Sequence, residues 1–128
     1  MKLLLDTHLL LWAAGAPEKL SARARMLMED PVHTLVFSAA SLWEITIKAG
    51  LGRADFQVDP SLLRRGLVEN GYEELPVYGR HAIAVNTLPD LHRDPFDRIL
   101  VAQAIVEGFL LLSHDPLVQG YPGPIQAV

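Results

Sequence analysis

Residues 1–15, MKLLLDTHLLLWAAG, decide how this chain folds. Two apolar runs are separated by Asp6, Thr7 and His8. The polar interruption makes the segment too short and too polar to span a membrane, so the runs read as two elements. Lys2–Leu5 is a brief, unalternating apolar run, the pattern of a strand buried on both faces in a parallel sheet. The second run, from about His8 through LLLWAA, reads as a helix stopped by Gly15 and Pro17.

Working outward, the same alternation repeats. Ser21 can cap a helix, ARARMLMED, which Pro31 ends. TLVFS, Thr34–Ser38, has the β-branched and aromatic content of a strand. AASLWEITIKAG, Ala39–Gly50, reads as a helix closed by its last glycine. Asp59 and Pro60 open another, SLLRRGLVEN, ending at Asn70 and Gly71. YEELPV alternates and suits a short strand; a helix over roughly 79–86 follows. A long apolar helix is expected over Pro95–Glu107, with Gly108 ending it. FLLLS, residues 109–113, is a strong buried strand, and GPIQAV has room for a last short one. There is no repeat, linker or low-complexity tract. Strand–helix alternation throughout predicts one α/β domain over residues 1–128, an open, mostly parallel sheet with helices on both faces.

Composition bounds the chemistry. Half of the 128 residues are hydrophobic and a fifth are charged, as expected of a globular chain with a real core. The absence of cysteine excludes disulfides and thiolate metal sites. Nothing in the sequence marks secretion, and a cytoplasmic protein with no membrane contact is expected. The net charge of −4 argues against holding nucleic acid by phosphate neutralisation alone. Any such activity needs a local basic patch, a cation, or both.

In open parallel sheets, functional groups gather beyond the carboxyl ends of the strands. That rule sorts the acids. Asp6 follows the first strand directly, and Asp115 follows FLLLS and His114. Glu44 lies about two turns into the helix after the second strand. Asp97 is in the first turn of the long apolar helix, sharing a stripe with Val101, Ala104 and Gly108, where a carboxylate is costly unless something pairs with it. Glu18, Glu29, Asp30, Asp55, Glu69, Glu73 and Glu74 lie in polar or turn contexts and read as solvated. Each singled-out acid also has a purely structural explanation. Asp6 could cap the first helix, Glu44 could pair with Lys48 four residues on, and Asp115, before Pro116, could be a turn or helix cap. Asp94 is best explained as the N-cap of the helix whose first residue is Pro95. What speaks for chemistry is the coincidence of several acids able to converge on one edge. Clustered carboxylates repel one another, so such a site calls for divalent cations. Oxygen ligands without thiolates point to Mg²⁺ or Mn²⁺.

LLLDTHLLLW, FSAASLWEITIK, HRDPFDRILVAQA and LLSHD, taken together and in order, resemble the motifs of PIN-domain ribonucleases. More narrowly, they resemble the VapC-like toxins of type II toxin–antitoxin systems, over nearly the whole chain. The resemblance implies a three-layer α/β/α sandwich. It implies that Asp6, Glu44, Asp97 and Asp115 bind one or two Mg²⁺ or Mn²⁺ ions as the catalytic set, with Thr7 hydrogen-bonding inside the site. The part of Asp94 in metal binding stays open. The implied reaction is endonucleolytic cleavage of RNA: a water activated by the ions attacks phosphorus and the 3′ oxygen leaves, giving 5′-phosphate and 3′-hydroxyl ends. The implied partners are an RNA substrate, a cognate antitoxin and a second copy in a homodimer, with operator DNA reached only through the antitoxin. An apolar surface patch would be needed for the protein contacts, and LLLWAAG hints at one.

The remaining polar and aromatic residues divide similarly. Lys48, Arg53, Arg93 and Arg98 flank the acids and could touch phosphates, or could be solvated charge. His8, His92 and His114 each sit near a candidate acid, yet an oxygen-rich Mg²⁺ site requires no histidine. Trp12 and Trp43 lie on apolar helices and read as core or interface residues. Two enzymatic rivals fare poorly. A receiver-type phospho-acceptor domain would want paired acids after the first strand and a lysine after the last strong one; here Asp6 stands alone and the late motif is SHDP. A haloacid-dehalogenase-type phosphatase would want an aspartate where His8 stands. A catalytically silent binding module with the same fold is the remaining alternative, and the intact acids argue against it.

Overall fold

The computed structural model describes residues 1–128. Five parallel strands form one sheet: β1 (Lys2–Leu5), β2 (Thr34–Ser38), β3 (Glu73–Leu75), β4 (Leu110–Ser113) and β5 (Ile125–Ala127), in the order β3-β2-β1-β4-β5. Every neighbouring pair is parallel, so the sheet is wholly rather than mostly parallel. Leu4 is opposite Val36 on one side and Leu111 on the other.

Seven helices cover the sheet: α1 (Thr7–Gly15), α2 (Ala22–Glu29), α3 (Ala39–Gly50), α4 (Pro60–Glu69), α5 (Gly79–Ala84), α6 (Pro95–Glu107) and α7 (Pro116–Gln119). The unalternating strands are explained by the two cores they divide. Leu4, Val36 and Leu111 face Leu100, Val101 and Ala104 of α6. Leu3, Leu5, Phe37 and Leu112 face the other way, onto Leu9 and Leu10 of α1, Ile45 of α3 and Leu67 of α4. Side chains alternate across a strand, so both faces can be apolar only when both are covered. The result is the expected three-layer α/β/α sandwich.

Local signals set the boundaries. Ser21, Ser38 and Asp59 cap α2, α3 and α4 with their side-chain oxygens. Gly108 ends α6 at φ 71°, a left-handed conformation that suits glycine. The 3₁₀ turn Pro17–Lys19 was not foreseen; the single-turn α7 is the short helix that Asp115, read as a turn or helix cap, does cap. The helix expected over 79–86 ends earlier, at Ala84, and tightens into a 3₁₀ turn over Val85–Thr87. The Thr87 hydroxyl bonds back to the Ala84 carbonyl there, a local competitor to continued helix.

The strand order fixes where a site can form. From β1 the chain steps through β2 to β3, then crosses back to place β4 on the other side of β1. The reversal lies between β1 and β4, where the loops leaving two adjacent strands part to opposite sides and open a crevice. Asp6 ends β1 and Asp115 lies just beyond β4. The run from the start of α6 into β4 returns along the sheet, so the first turn of α6, carrying Asp97, is at the same edge.

Candidate metal centre

Asp6 is the N-cap of α1 and is only 3% exposed. Its Oδ1 accepts from the Leu9 amide at 2.9 Å, and its Oδ2 accepts from the Ser113 hydroxyl at 2.7 Å. Burial raises its pKa, and the hydrogen bonds from Leu9 and Ser113 oppose the rise. Ser113 also accepts from the Asp115 amide at 3.1 Å, so one hydroxyl ties Asp6 to Asp115. Asp115 caps α7 through Oδ1, which accepts from Leu117 at 2.9 Å. Asp6 and Asp115 line a hollow of about 410 Å³ with His8, Trp12, His114 and Pro116.

Glu44 is 6% exposed. Its Oε2 accepts from Lys48 at 2.8 Å, the i,i+4 pair the spacing suggested. Its Oε1 is buried with no partner. A buried carboxylate oxygen without a donor is costly, and a bound cation would remove that cost. The negative charge of Glu44 also reaches Asp97. Asp97 is pushed up to about 6, first by burial, then by the charges of Asp94 and Glu44, while the hydrogen bond from His92 pulls the other way. His92 Nε2 is 2.8 Å from Asp97 Oδ2. Asp94 Oδ1 accepts from the amides of Phe96 at 2.8 Å and Asp97 at 3.2 Å, the expected cap. One ligand atom from each of His92, Asp94 and Asp97 lies within 4.8 Å of the others.

The acids thus stand as two groups at one edge of the sheet. Hydrogen bonds join Asp6 to Asp115, and charge couples Glu44 and Asp94 to Asp97. Between them, the Thr7 hydroxyl donates to Ser41 at 3.0 Å, tying the start of α1 to α3 one turn before Glu44. A raised carboxyl pKa, an orphaned buried oxygen and an oxygen-rich donor set suit a divalent cation. The residues fit Mg²⁺ or Mn²⁺.

The flanking residues sort out differently from their sequence positions. Arg98 is turned inward, onto the carbonyls of Pro89 and Val85 and the Tyr121 hydroxyl. Arg53 pairs with Asp55 at the surface. Lys48 is taken by Glu44, and Arg93 is exposed with no ion pair. Trp12 packs against the core around α1, and the edge of its ring meets His114 at 5.4 Å. Trp43 is 65% exposed and meets Phe96 at 5.4 Å, so it is not a core residue. Sequence reasoning missed Ser113 and Tyr121. For Ser113 the signal was available: a hydroxyl at the end of an apolar strand, fully buried, needs a partner.

The larger hollow, about 660 Å³, lies between α1 and α4. Leu11, Ala14, Val58 and Leu62 line it, and none of the four acids does. It is a mostly apolar groove and includes part of LLLWAAG.

The family described as PIN domain matches residues 3–119. No curated protein matches the chain. Among solved structures, VapBC2 from Rickettsia felis, bound to a DNA fragment from its promoter, aligns with a TM-score of 0.73 at 14% identity, over 99% of this chain and 98% of that one. DNA-bound VapBC from Salmonella typhimurium aligns at 0.67 and 15% identity, with the same 99% and 98% coverage. VapBC-1 from nontypeable Haemophilus influenzae aligns at 0.64 and 18% identity, again over 99% and 98%. At these identities the likeness is one of fold.

Proposed function

Because the chain belongs to the PIN-domain family, we propose that it is the toxin of a type II toxin–antitoxin pair, a VapC-like endoribonuclease dependent on Mg²⁺ or Mn²⁺. The observation that carries the reading is the buried, partnerless Oε1 of Glu44 beside an Asp97 whose pKa is raised to about 6. Such an arrangement is unfavourable in the free protein and becomes favourable around a cation.

In this reading Asp6, Glu44, Asp97 and Asp115 hold the ions, and Asp94 caps the helix that presents Asp97. Bound ions would lower the pKa of a water and offset charge on the scissile phosphate. The protein's own part is orientation. Ser113 fixes the inward oxygen of Asp6 and the backbone of Asp115. Lys48 holds one oxygen of Glu44, leaving the other without a protein partner, so that it would be free to take a cation. The negative chain then meets RNA through ions rather than through a basic surface.

The structural neighbours are VapBC complexes, two of them with DNA, and by analogy this chain takes a cognate antitoxin that carries any DNA contact. The apolar groove between α1 and α4 suits an antitoxin segment. A homodimer and a cytoplasmic location belong to the same proposal.

The test is direct. Purified protein freed of antitoxin should cleave RNA with Mg²⁺ or Mn²⁺, and EDTA should stop it. Asp6→Ala and Asp97→Asn should each abolish cleavage while leaving the circular dichroism spectrum nearly unchanged. A chain that cleaves no RNA under any metal would be the silent binding module instead.

A further inference from the structure

Arg98 is in an awkward place for a cation. It lies in the opening turns of α6, where the helix dipole presents its positive end. The structure gives the reason. Nη1 donates to the Pro89 carbonyl at 3.0 Å and to the Tyr121 hydroxyl at 3.0 Å, and Nη2 donates to the Val85 carbonyl at 3.3 Å. Tyr121 is buried in the core beneath α6. Its hydroxyl accepts from the His92 amide at 2.9 Å and donates to the His92 carbonyl at 3.1 Å. One phenol therefore holds both backbone polar groups of His92 from 29 positions away in sequence. The segment before α6 is irregular, and these bonds tie its His92 to the core. With them, the His92 ring is aimed at Asp97, Nε2 to Oδ2 at 2.8 Å.

We propose that His92 is a positioning residue for Asp97, and that Arg98 and Tyr121 form a clamp whose purpose is to hold it. By occupying Oδ2, the imidazole determines that Oδ1 is the oxygen offered to a cation. Carboxylate ligands are commonly oriented by such outer hydrogen bonds, whose loss typically costs about 10–100-fold in metal affinity. The inference rests on the proposed divalent-cation site and names the residues that set its geometry.

Mn²⁺ titration of the full chain, followed by the electron paramagnetic resonance of the free ion, tests it without reference to activity. Thermal melts beside each titration show that the variants are folded. His92→Ala should weaken Mn²⁺ binding about tenfold or more. His92→Gln, which can place an amide N–H near the Nε2 position, should recover most of the affinity. Tyr121→Phe keeps the ring in the core and loses only the hydroxyl, so it should fall between the two. Unchanged binding in His92→Ala overturns the proposal, as does a His92→Gln protein as weak as His92→Ala. Hyperfine coupling from an imidazole nitrogen bound directly to Mn²⁺ also overturns it, because His92 would then be a ligand. If the wild-type chain binds no Mn²⁺, the cation site itself falls and this inference with it, an outcome distinct from a failure confined to the variants.

Discussion

Replacing Asp97 by asparagine should make the metal-free protein more stable at pH 8, and the gain should vanish in acid. The Asp97 carboxyl is raised from 3.8 to about 6, chiefly by burial, with Asp94 and Glu44 adding to the rise and His92 opposing it. A group that binds its proton more tightly folded than unfolded stabilises the fold below its unfolded pKa, and that stabilisation is lost as pH rises through the folded one. The window therefore runs from about pH 4 to just above 6, and above it the ionised carboxylate is a net cost. Two units correspond to roughly 3 kcal/mol. Some water reaches the group, whose side chain is 18% exposed, so roughly 1–3 kcal/mol is the range to look for. Asparagine keeps the shape and can still accept from His92, but carries no charge. Urea unfolding of both proteins in EDTA, from pH 4 to pH 8, measures the difference. The asparagine variant should have the higher midpoint at pH 8, and the curves should converge toward pH 4. Added Mn²⁺ should reverse the order at pH 8, because binding stabilises only the form that holds the ion. A variant less stable than wild type at pH 8 in EDTA, or a gap indifferent to pH, would refute the account of Asp97 as an acid held against its preference.

Other outcomes follow from the same geometry. Ser113→Ala removes the donor to Asp6 Oδ2 and the acceptor for the Asp115 amide. It should cost about 1–3 kcal/mol in urea unfolding and slow RNA cleavage, since both acids lose a tether. Gly108→Ala meets no atom within 4 Å, so its cost is conformational, set by a φ of 71°; a loss of about 1–2 kcal/mol with unchanged Mn²⁺ affinity is expected. Leu4→Ala opens a cavity between β1 and α6 and should cost about 2–5 kcal/mol, read as a lower urea midpoint.

Much of the fold was legible because its signals are local. The limits of β1, β2, α3 and α6 follow from apolar runs, capping residues and Gly108. The strand order was not legible, since nothing in the spacing says that the chain crosses back after β3 to set β4 beside β1. The single turn α7 is too short to carry a period, and only Asp115 and Pro116 mark it. Long-range polar partners were the other blind spot. Tyr121 and His92 are 29 residues apart, and Ser113 and Asp6 are 107 apart. A sequence shows that a polar group is present, not which distant one will satisfy it. The same holds for Arg98, which its neighbours made a candidate phosphate contact and the fold made a clamp.

The acids raise a subtler point, because capping and chemistry use the same residue type at the same places. Asp6, Asp94 and Asp115 all cap helices, and so does Asp59, which lies outside the acid-bearing edge. Cap geometry therefore cannot separate a functional aspartate from a structural one. The oxygen that does not cap is more informative. Both contacts of Asp59, to Ser61 and Leu62, go through Oδ1 to amides of its own helix, which capping alone explains. Asp6 sends its second oxygen across the sheet to Ser113, fixing it at a strand end where capping has no use for it. Asp97 is not a cap at all, yet a histidine from outside the helix holds its Oδ2. Glu44 goes furthest, with one oxygen on Lys48 and the other buried and bare. Arranging a carboxylate this way costs free energy unless a donor or a cation meets the bare oxygen. A cation between the acids is the simplest agent that returns it.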